Sequence, residues 1–326
     1  MASLRAFTLP RHAGLLTRVL LPLSPSLPRH PLRAGCNSYS SGTLNADAAP
    51  RIHSKAHPMF SMQGKVCVVT GAARGLGLEF CKAFVQSGCT TIAVVDLKAE
   101  EAKAAAAELE ALARTDHKDD ASATPDALKM VGIGCDVSSE ESVTAAFAEV
   151  MAAYGRIDAV VASAGIVENY SAFDYPADRI RRLYDINVHG SFFTAREAAR
   201  HMIPSGGGSI VLIASMSANI VNIPQLQTPY NASKAAVKHM ASSLAVEWAT
   251  KGIRVNTLSP GYMLTKLTRT ILESDQELKK TWEGLTPMGR MGEPEDLSGA
   301  IIYLCSDASK FMTGSEIRVD GGYCVV

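Results

Sequence analysis

Tyr230 and Lys234, in the run Tyr-Asn-Ala-Ser-Lys, are the side chains whose types and spacing best suit proton chemistry. Four residues apart on a helix, they share one face and lie one turn apart. A phenol has a pKa of about 10, and a nearby ammonium favours the phenolate and lowers that pKa. We therefore expect Tyr230 to act as a general acid or base near neutral pH, on a helix predicted over 228–250.

A glycine-rich turn lies upstream, between a predicted strand at 65–70 and a predicted helix at 75–87. The turn contains Gly71, Arg74, Gly75, Leu76 and Gly77. A strand, a glycine turn and a helix form the setting of a dinucleotide site, because glycines let the backbone approach a pyrophosphate and helical N–H groups then meet the phosphates. The spacing Gly-x-x-x-Gly-x-Gly differs from the Gly-x-Gly-x-x-Gly fingerprint, and an ordinary strand-to-helix turn is the alternative.

Asp96 ends the next predicted strand, 91–96, and lies 19 residues after Gly77. An acidic residue about 20 residues beyond the glycine turn binds the adenosine ribose hydroxyls in such sites. A carboxylate there accepts a free 2′-hydroxyl and repels a 2′-phosphate, which favours NAD over NADP. Arg74 and Lys98 are cations that can face a phosphate, so NADP is not excluded. A helix N-cap is the other role open to Asp96.

The alternation of strands and helices predicts an α/β fold: a single Rossmann-type, doubly wound parallel sheet with helices on both faces. The composition, 47% hydrophobic and 20% charged, is ordinary for a globular protein. The other predicted strands are 128–135, 157–162, 208–214, 253–258 and 316–319. The other predicted helices are 98–114, 139–154, 176–202 and 294–305, and 262–290 is expected to form a lid.

Together these features resemble the short-chain dehydrogenase/reductase family over about residues 60–326. The family's Thr-Gly-x-x-x-Gly-x-Gly and Tyr-x-x-x-Lys patterns appear as Thr70 to Gly77 and as Tyr230 with Lys234. Further matching positions are Asp136 and Val137, Ala164 and Gly165, Asn187, Ser215, Pro260 and Gly261, and Asp320 to Gly322. The run 215–248 looks most like fungal sugar-alcohol dehydrogenases of the arabinitol, mannitol or sorbose/xylulose type.

The resemblance implies hydride transfer between a nicotinamide cofactor and a secondary alcohol or ketone. It implies that Tyr230 takes the hydroxyl proton in oxidation and returns it in reduction, and that Lys234 lowers the pKa of Tyr230 and binds the nicotinamide ribose. Ser215 would donate to the substrate oxygen, and Asn187 would hold a water that links Lys234 to solvent. The implied cofactor-binding residues are Gly71, Arg74, Gly75, Leu76, Gly77, Asp96, Asp136 (at the adenine), Val137, Ala164, Gly165, Asn187, Tyr230, Lys234, Pro260 and Gly261.

Two positions depart from the family pattern. Ala162 and Ser163 replace a pair of asparagines that usually brace the central sheet, so we expect a changed hydrogen-bond pattern there. Ser215 lies 15 residues before Tyr230, slightly more than the commonest spacing. Ser217 is therefore a rival for the catalytic serine, although Ser215 is preferred.

The substrate is expected to contact residues 166–169, 216–228 and the segment after Gly261. These stretches offer Glu168, Asn169, Asn219, Asn222, Gln225, Gln227 and Tyr262. Many hydrogen-bonding groups suit a small polyol or ketose, although the amides can instead satisfy loop backbone. The other hypotheses are a mitochondrial 3-oxoacyl-thioester reductase and a non-catalytic cofactor-binding scaffold.

The first 59 residues differ in kind from the rest of the chain. They carry seven Lys or Arg and one acid, Asp47, whereas the remainder has 25 basic and 31 acidic residues. Basic, Ser-rich, acid-poor sequence is typical of an organelle transit peptide, so we predict mitochondrial import with cleavage between Arg33 and Met59. A disordered basic extension on a cytoplasmic enzyme is the alternative. Arg18 and the prolines argue against a membrane span.

Metal, nucleic acid and disulfides are not expected. The seven cysteines include no Cys-x-x-Cys pair, and His189 and His201 lack metal-ligand spacing. The acidic balance of residues 60–326 does not favour nucleic-acid binding. The apolar stripes of helices 176–202 and 228–250, which relatives pair into assemblies, lead us to expect a homodimer or homotetramer.

Overall fold

Seven parallel strands form one sheet in the computed structural model, which describes residues 57–116 and 128–326. The strands are β1 Val66–Thr70, β2 Thr91–Asp96, β3 Lys129–Gly134, β4 Ala159–Ala162, β5 Gly208–Ile213, β6 Ile253–Pro260 and β7 Glu316–Val319. Their order across the sheet is β3-β2-β1-β4-β5-β6-β7. The predicted doubly wound parallel sheet is confirmed.

Nine α-helices cover the two faces of this sheet in the described residues. They are α1 Gly75–Gln86, α2 Ala99–Asp116, α3 Glu140–Tyr154, α4 Ala177–Tyr184, α5 Gly190–Met202, α6 Thr228–Trp248, α7 Lys266–Ser274, α8 Gln276–Leu285 and α9 Ser298–Cys305. Helices α1, α2 and α9 pack on one face, and α3, α5 and α6 pack on the other.

The central strands are apolar on both faces, which explains why they read as continuous runs and not as alternating patterns. In β1, Cys67 and Val69 point into one core while Val68 points into the other. All five residues of β1 are buried. β-Branched residues fit such a pleated, enclosed position, so local composition and tertiary burial agree here.

The predicted helix 176–202 is interrupted. The structure has α4, then one π-helical segment at Asp185–His189, then α5. Such π segments occur frequently at functional sites, and this one contains Asn187. The helix predicted at 294–305 likewise begins as a 3-10 turn, Pro294–Leu297.

The predicted lid contains two short helices that the sequence reading left out. The Thr265 hydroxyl accepts a hydrogen bond from Thr268 N (3.3 Å) and begins α7. The Asp275 carboxylate accepts one from Leu278 N (2.9 Å) and begins α8. Both are ordinary N-cap interactions, so the capping residues were the available signal.

Six free cysteines lie in the described residues. Cys67, Cys81, Cys89, Cys135 and Cys305 are buried, whereas Cys324 is half-buried. Burial raises the pKa of the Cys305 thiol to about 12. These thiols behave as small apolar core residues.

The described chain begins beside the sheet. Met62 is fully buried, and the ring of Phe60 lies 6.3 Å from that of Tyr303 on α9. The predicted transit peptide falls on residues 1–59, of which 1–56 lie outside the described part. Among the described helices, none has the length and apolarity needed to cross a membrane.

Candidate active site

The candidate site lies where the strand order reverses, at the carboxyl ends of β1, β4, β5 and β6. Open α/β sheets bind ligands in the crevice at such a switch point. The residues that follow these four strand ends are Gly71, Ala164 with Gly165, Ser215, and Gly261. Pro260 is the last residue of β6, and Gly261 packs closely on Asp320, whose Cα lies 2.7 Å from a Cβ built on Gly261.

The glycine turn is shaped for close approach. Gly71 and Gly75 have φ angles of 65° and 60°, in the left-handed region that favours glycine. A Cβ on Gly77 would lie 2.3 Å from the backbone oxygen of Gly71, so the turn closes on itself here. A Cβ on Gly75 would meet nothing within 4 Å. The turn is therefore tight on the side of α1 and open at Gly75.

The amino end of α1 faces this opening. Its N-cap, Arg74, is exposed and makes no side-chain capping bond, while Leu76 is half-buried. The first N–H groups of a helix lack intrahelical partners and carry a partial positive charge. The turn fits the pyrophosphate of a dinucleotide on these grounds.

Asp96 braces the glycine turn from the neighbouring strand. Its carboxylate accepts hydrogen bonds from Ala73 N (2.9 Å) and Leu97 N (2.8 Å). The first bond ties the end of β2 to the turn after β1, 23 residues away in sequence. Both N–H donors lie before α2 in the sequence, since α2 begins at Ala99. The half-buried carboxylate is thus held at the edge of the crevice.

Asp136 and Val137 follow β3 and face different surroundings. Asp136 is exposed, and its carboxylate accepts bonds from the Ser138 N–H (3.0 Å) and hydroxyl (2.6 Å). Val137 is buried and packs on Gly190, where an added Cβ would lie 2.9 Å from the Val137 side chain. The Val137 side chain therefore supports the start of α5.

Asn187 lies fully buried within the π segment and ties three elements together. Its side-chain oxygen accepts from Ile166 N (2.8 Å), and its amide nitrogen donates to Ile166 O (2.9 Å) and to the Ser233 hydroxyl (3.1 Å). A Cβ on Gly165 would lie 3.3 Å from the Asn187 side-chain oxygen. Asn187 thereby fixes the loop after β4 against α6. At 162–163, Ser163 N donates to the Thr70 hydroxyl (3.2 Å).

Lys234 is a buried cation at the centre of the site. Its ammonium donates to Ile213 O (2.7 Å) and lies 5.8 Å from the centroid of the Tyr230 ring. Burial lowers the pKa of Lys234 to about 8. The two side chains share one face of α6, as their spacing predicted.

Tyr230 differs from expectation in the direction of its pKa. Burial raises the pKa of the phenol, the hydrogen bond with Ser215 lowers it, and the nearby Tyr262 raises it, with a net rise. The expectation that the Lys234 ammonium lowers the pKa of Tyr230 is therefore wrong. The physical reason is that Lys234 bonds to Ile213 O and stays beyond hydrogen-bond distance of the ring, while burial penalises the phenolate.

Of the two rival serines, Ser215 is the one that contacts Tyr230. It lies near enough to the Tyr230 phenol to affect the pKa of that group. The Ser215 hydroxyl accepts from Ser217 N (3.1 Å) and donates to the Ser217 hydroxyl (3.0 Å). Ser215 is also the N-cap of the 3-10 turn Met216–Ala218. Ser217 is buried and hydrogen-bonded to Ser215.

Most polar side chains predicted to line the substrate are engaged with one another. Asn222 and Gln225 donate to the Tyr262 hydroxyl at 3.1 and 3.0 Å, and Gln227 donates to Asn222 at 2.9 Å. Glu168 pairs with Arg179. The alternative was that these amides satisfy loop backbone, whereas the amides of Asn222, Gln225 and Gln227 bond to a tyrosine hydroxyl and to other side chains.

Two aromatic residues beside this network were not among the residues predicted from the sequence. Trp282 of α8 stacks on Tyr262 with ring centroids 4.0 Å apart, and Tyr323 meets Tyr262 edge-on at 5.4 Å. A cavity of about 190 Å³ beside Tyr262 is also lined by Met288 and Asp320. The amphipathic lid helices were the signal that could have placed Trp282 here.

The two histidines considered as ligands pair with acidic residues on their own helical segments. His189 lies 3.0 Å from the Asp185 carboxylate and His201 lies 3.3 Å from that of Glu197. Within 57–116 and 128–326, no group of three or more His, Cys, Asp or Glu residues could hold a metal ion.

The stability of the wild type relative to Lys234→Met is expected to rise with pH between about 8 and 10.5. Burial lowers the folded-state pKa of Lys234 from 10.5 to about 8. Between these values the unfolded chain binds the proton more strongly than the folded chain, so the free energy of unfolding increases with pH. Denaturant unfolding of both proteins at four pH values from 7 to 10 measures the difference.

The control for this series is Lys280→Met, at an exposed position on α8. Its stability difference from the wild type is expected to stay flat over the same range. A constant difference between wild type and Lys234→Met would contradict the prediction.

Comparison with known proteins gives a consistent set of relatives. The sequence model of the family described as "Enoyl-(Acyl carrier protein) reductase" matches residues 71–324. The D-arabinitol 2-dehydrogenase (ribulose-forming) of Scheffersomyces stipitis is 40% identical over 273 residues, covering 82% of this chain and 96% of that protein. The NADH-dependent L-xylulose reductase of Ambrosiozyma monospora is 38% identical over 270 residues, covering 82% and 97%.

Solved structures agree. A short-chain type dehydrogenase/reductase from Mycobacterium marinum has a TM-score of 0.73 at 38% identity, covering 82% of this chain and 98% of that chain. A gluconate 5-dehydrogenase from Burkholderia cenocepacia, in complex with NADP and tartrate, has a TM-score of 0.74 at 31% identity over the same shares.

Proposed function

Since the chain belongs to the short-chain dehydrogenase/reductase family, we propose that it moves hydride between NAD and a small polyol or ketose. One observation carries the proposal: the Tyr230 phenol lies near the Ser215 hydroxyl and shares one face of α6 with the buried Lys234, whose ammonium is 5.8 Å from the centroid of the Tyr230 ring. A proton carrier, a hydroxyl donor and a fixed cation are the protein groups that alcohol oxidation and ketone reduction need.

The nicotinamide cofactor supplies the hydride acceptor or donor when bound. The protein's own residues manage the proton. Because the pKa of Tyr230 is raised, its phenol is protonated at neutral pH and is set to act as the acid in reduction, giving its proton to the substrate oxygen. Ser215 would donate to the same oxygen, and the ammonium of Lys234, held by Ile213 O, would bind the nicotinamide ribose.

The residues around the crevice fit a dinucleotide. The open side of the glycine turn would hold the pyrophosphate, with Arg74, Leu76 and the loops at 136–137, 164–165 and 260–261 as the other residues that would hold the cofactor. Asp96 would bind the adenosine ribose hydroxyls, and its charge supports NAD as the preferred form. Relatives of both kinds occur, since the xylulose reductase is named as NADH-dependent and the gluconate dehydrogenase structure holds NADP.

Asp96→Asn is expected to reduce the preference for NAD over NADP by about tenfold or more, measured as the ratio of the two kcat/KM values. The amide keeps an oxygen that can accept from Ala73 N but loses the charge that repels a 2′-phosphate, and tenfold corresponds to about 1.4 kcal/mol. Asp96→Ala removes both and is expected to weaken NAD binding further. An unchanged ratio of the two kcat/KM values in Asp96→Asn would show that the carboxylate does not discriminate between a free 2′-hydroxyl and a 2′-phosphate.

The polyol or ketose assignment rests on the relatives and on the polar setting of the site. The amides of Asn222 and Gln225 bond to the Tyr262 hydroxyl, and these three polar groups lie near Tyr230. A site built to hydrogen-bond substrate hydroxyls discriminates strongly against analogues that lack them.

The test uses the purified full-length chain with a panel of polyols and ketoses, with NAD(H) and NADP(H) in parallel. Oxidation of arabinitol-like polyols, or reduction of the matching ketoses, with a preference for NAD(H) is the expected result. Activity confined to 3-oxoacyl thioesters with NADPH would overturn the assignment. That alternative is not favoured, because two curated relatives are named as a D-arabinitol dehydrogenase and an L-xylulose reductase. A scaffold role is not favoured, because the chain belongs to an enzyme family.

We further propose that residues 1–59 direct the protein to the mitochondrial matrix, where cleavage between Arg33 and Met59 removes the leader, and that residues 60–326 form the catalytic domain. Their cationic, acid-poor composition supports this. Fractionation of the native cell with mass spectrometry of the mature amino terminus tests it, and an intact protein confined to the cytoplasm would refute it.

A homodimer or homotetramer is the assembly that we propose. The exposed apolar side chain of Val246, 83% accessible on α6, supports burial of this helix face against a second copy. Sedimentation analysis of the wild type and of Val246→Glu measures it, and a wild-type monomer at micromolar concentration would refute it.

A further inference from the structure

An ionic cluster lies directly behind the turn that carries Ser215. Glu316, the first residue of β7, accepts hydrogen bonds from Asn219 (2.7 Å) and from the Ser259 hydroxyl of β6 (2.7 Å). Its other oxygen lies 3.1 Å from the ammonium of Lys238 on α6. Four chain segments thus meet at one carboxylate.

Asn219 connects this cluster to the Ser215 turn. Its backbone N–H donates to Met216 O (2.9 Å) and so closes the 3-10 turn Met216–Ala218. Its side chain bridges Glu316 and Lys238, donating to the first and accepting from the second. The side chain of Asn219, which the sequence places among the substrate-lining candidates, is therefore bonded to the cluster.

The carboxylate is well held. The Glu316 side chain is 16% exposed, and Ser259 is fully buried. Burial raises the pKa of Glu316, but the bonds from Ser259, Asn219 and Lys238 outweigh it, and the net pKa lies below the usual value. Charge-assisted hydrogen bonds of this kind are stronger than neutral ones, so the cluster is a rigid support.

We propose that Glu316 is a positioning residue for Ser215, clamping the Met216–Ala218 turn through Asn219 so that the Ser215 hydroxyl stays within reach of Tyr230. Ser215 depends on this turn because its hydroxyl accepts from Ser217 N, inside the turn. The inference rests on the proposed function, since the step it serves is proton transfer at Tyr230.

The kinetic test is a double-mutant cycle between Glu316→Ala and Ser215→Ala. Glu316→Ala alone is expected to lower kcat by roughly tenfold, with the KM for NAD within about twofold, because a displaced hydroxyl donor stabilises the reacting oxygen less. In the Ser215→Ala background the same change is expected to lower kcat by less than about twofold. Equal losses in both backgrounds would show that Glu316 does not act through Ser215.

Glu316→Gln is the conservative variant. It keeps an oxygen that can accept from Asn219 and Ser259 and loses the half-exposed ion pair with Lys238, so it is expected to restore most of kcat. Failure of Glu316→Gln to exceed Glu316→Ala would overturn the clamp through Asn219. Asn219→Ala, at an exposed position, is expected to reproduce the loss in Glu316→Ala without a risk to folding.

Hydrogen exchange supplies a readout that needs no substrate. The amides of Ser217, Ala218 and Asn219 are expected to lose protection by about tenfold in Glu316→Ala, because their turn opens more often. Asp158→Asn is the matched control: Asp158 is also 16% exposed and ion-paired, but lies just before β4, at the amino end of that central strand.

The two proposals fail separately. Unchanged exchange at Ser217–Asn219 in Glu316→Ala would overturn the clamp whatever the substrate is. A wild type that turns over no polyol or ketose would overturn the proposed function, while the exchange measurement would still decide the clamp.

Discussion

Tyr230→Phe is expected to lower kcat by about 10²–10⁴-fold while the dissociation constant for NADH stays within about twofold. The change removes one oxygen, so the ring keeps its packing and only the proton carrier is lost. Steady-state turnover and quenching of protein fluorescence by NADH measure the two quantities.

Tyr303→Phe is the matched control for this loss. Tyr303 is half-buried on α9, where its ring lies beside Phe60 and away from the crevice. Its turnover and NADH affinity are expected to equal those of the wild type. If Tyr230→Phe retained a third of wild-type turnover, Tyr230 would not be the proton carrier.

Gly77→Ala should weaken NADH binding by at least about a hundredfold and lower the stability of the fold by about 1–3 kcal/mol. The added Cβ would lie 2.3 Å from Gly71 O and 2.9 Å from the Cα of Ala72, and both are backbone atoms that cannot swing aside. The turn must open to admit the methyl group, and its N–H groups then no longer point toward the pyrophosphate site. Titration with NADH and thermal unfolding measure the two effects.

Gly284→Ala provides the comparison. Gly284 lies within α8, and a Cβ there would meet no atom within 4 Å. Since Ala is the better helix former by about 1 kcal/mol, this variant is expected to be as stable as the wild type or more so. Wild-type NADH affinity in Gly77→Ala would contradict the role given to the glycine turn.

The sheet could be predicted because its strands are short, β-branched and bounded by turn residues, so local pattern and final burial agree. The one-face placement of Tyr230 and Lys234 follows from helical geometry alone. The π segment could not be predicted, because a single extra residue in a helical turn leaves no mark on an apolar periodicity near 3.6. Asn187 was identified by pattern, but its bonds to Ile166 and Ser233 depend on the completed fold.

The direction of the Tyr230 pKa was missed for a related reason. Spacing shows which charge lies nearby, whereas desolvation depends on everything that packs around the phenol. Tyr262, Trp282 and Tyr323 come from three separate segments, so their aromatic contacts cannot be predicted from local sequence. The same holds for Asn219, which was predicted to face substrate and is instead bound to Glu316, 97 residues away.

Alkylation of the buried thiols can report how often each part of the fold opens. Five of the six cysteines in the described residues are enclosed. Burial raises the pKa of four of these thiols, Cys67, Cys81, Cys135 and Cys305, and so keeps their thiolate forms scarce. Iodoacetamide should therefore modify Cys324 first and reach the other five only when their segment of the fold opens. Mass spectrometry of the alkylated peptides would then time the opening of each sheet face in native buffer, with neither denaturant nor turnover.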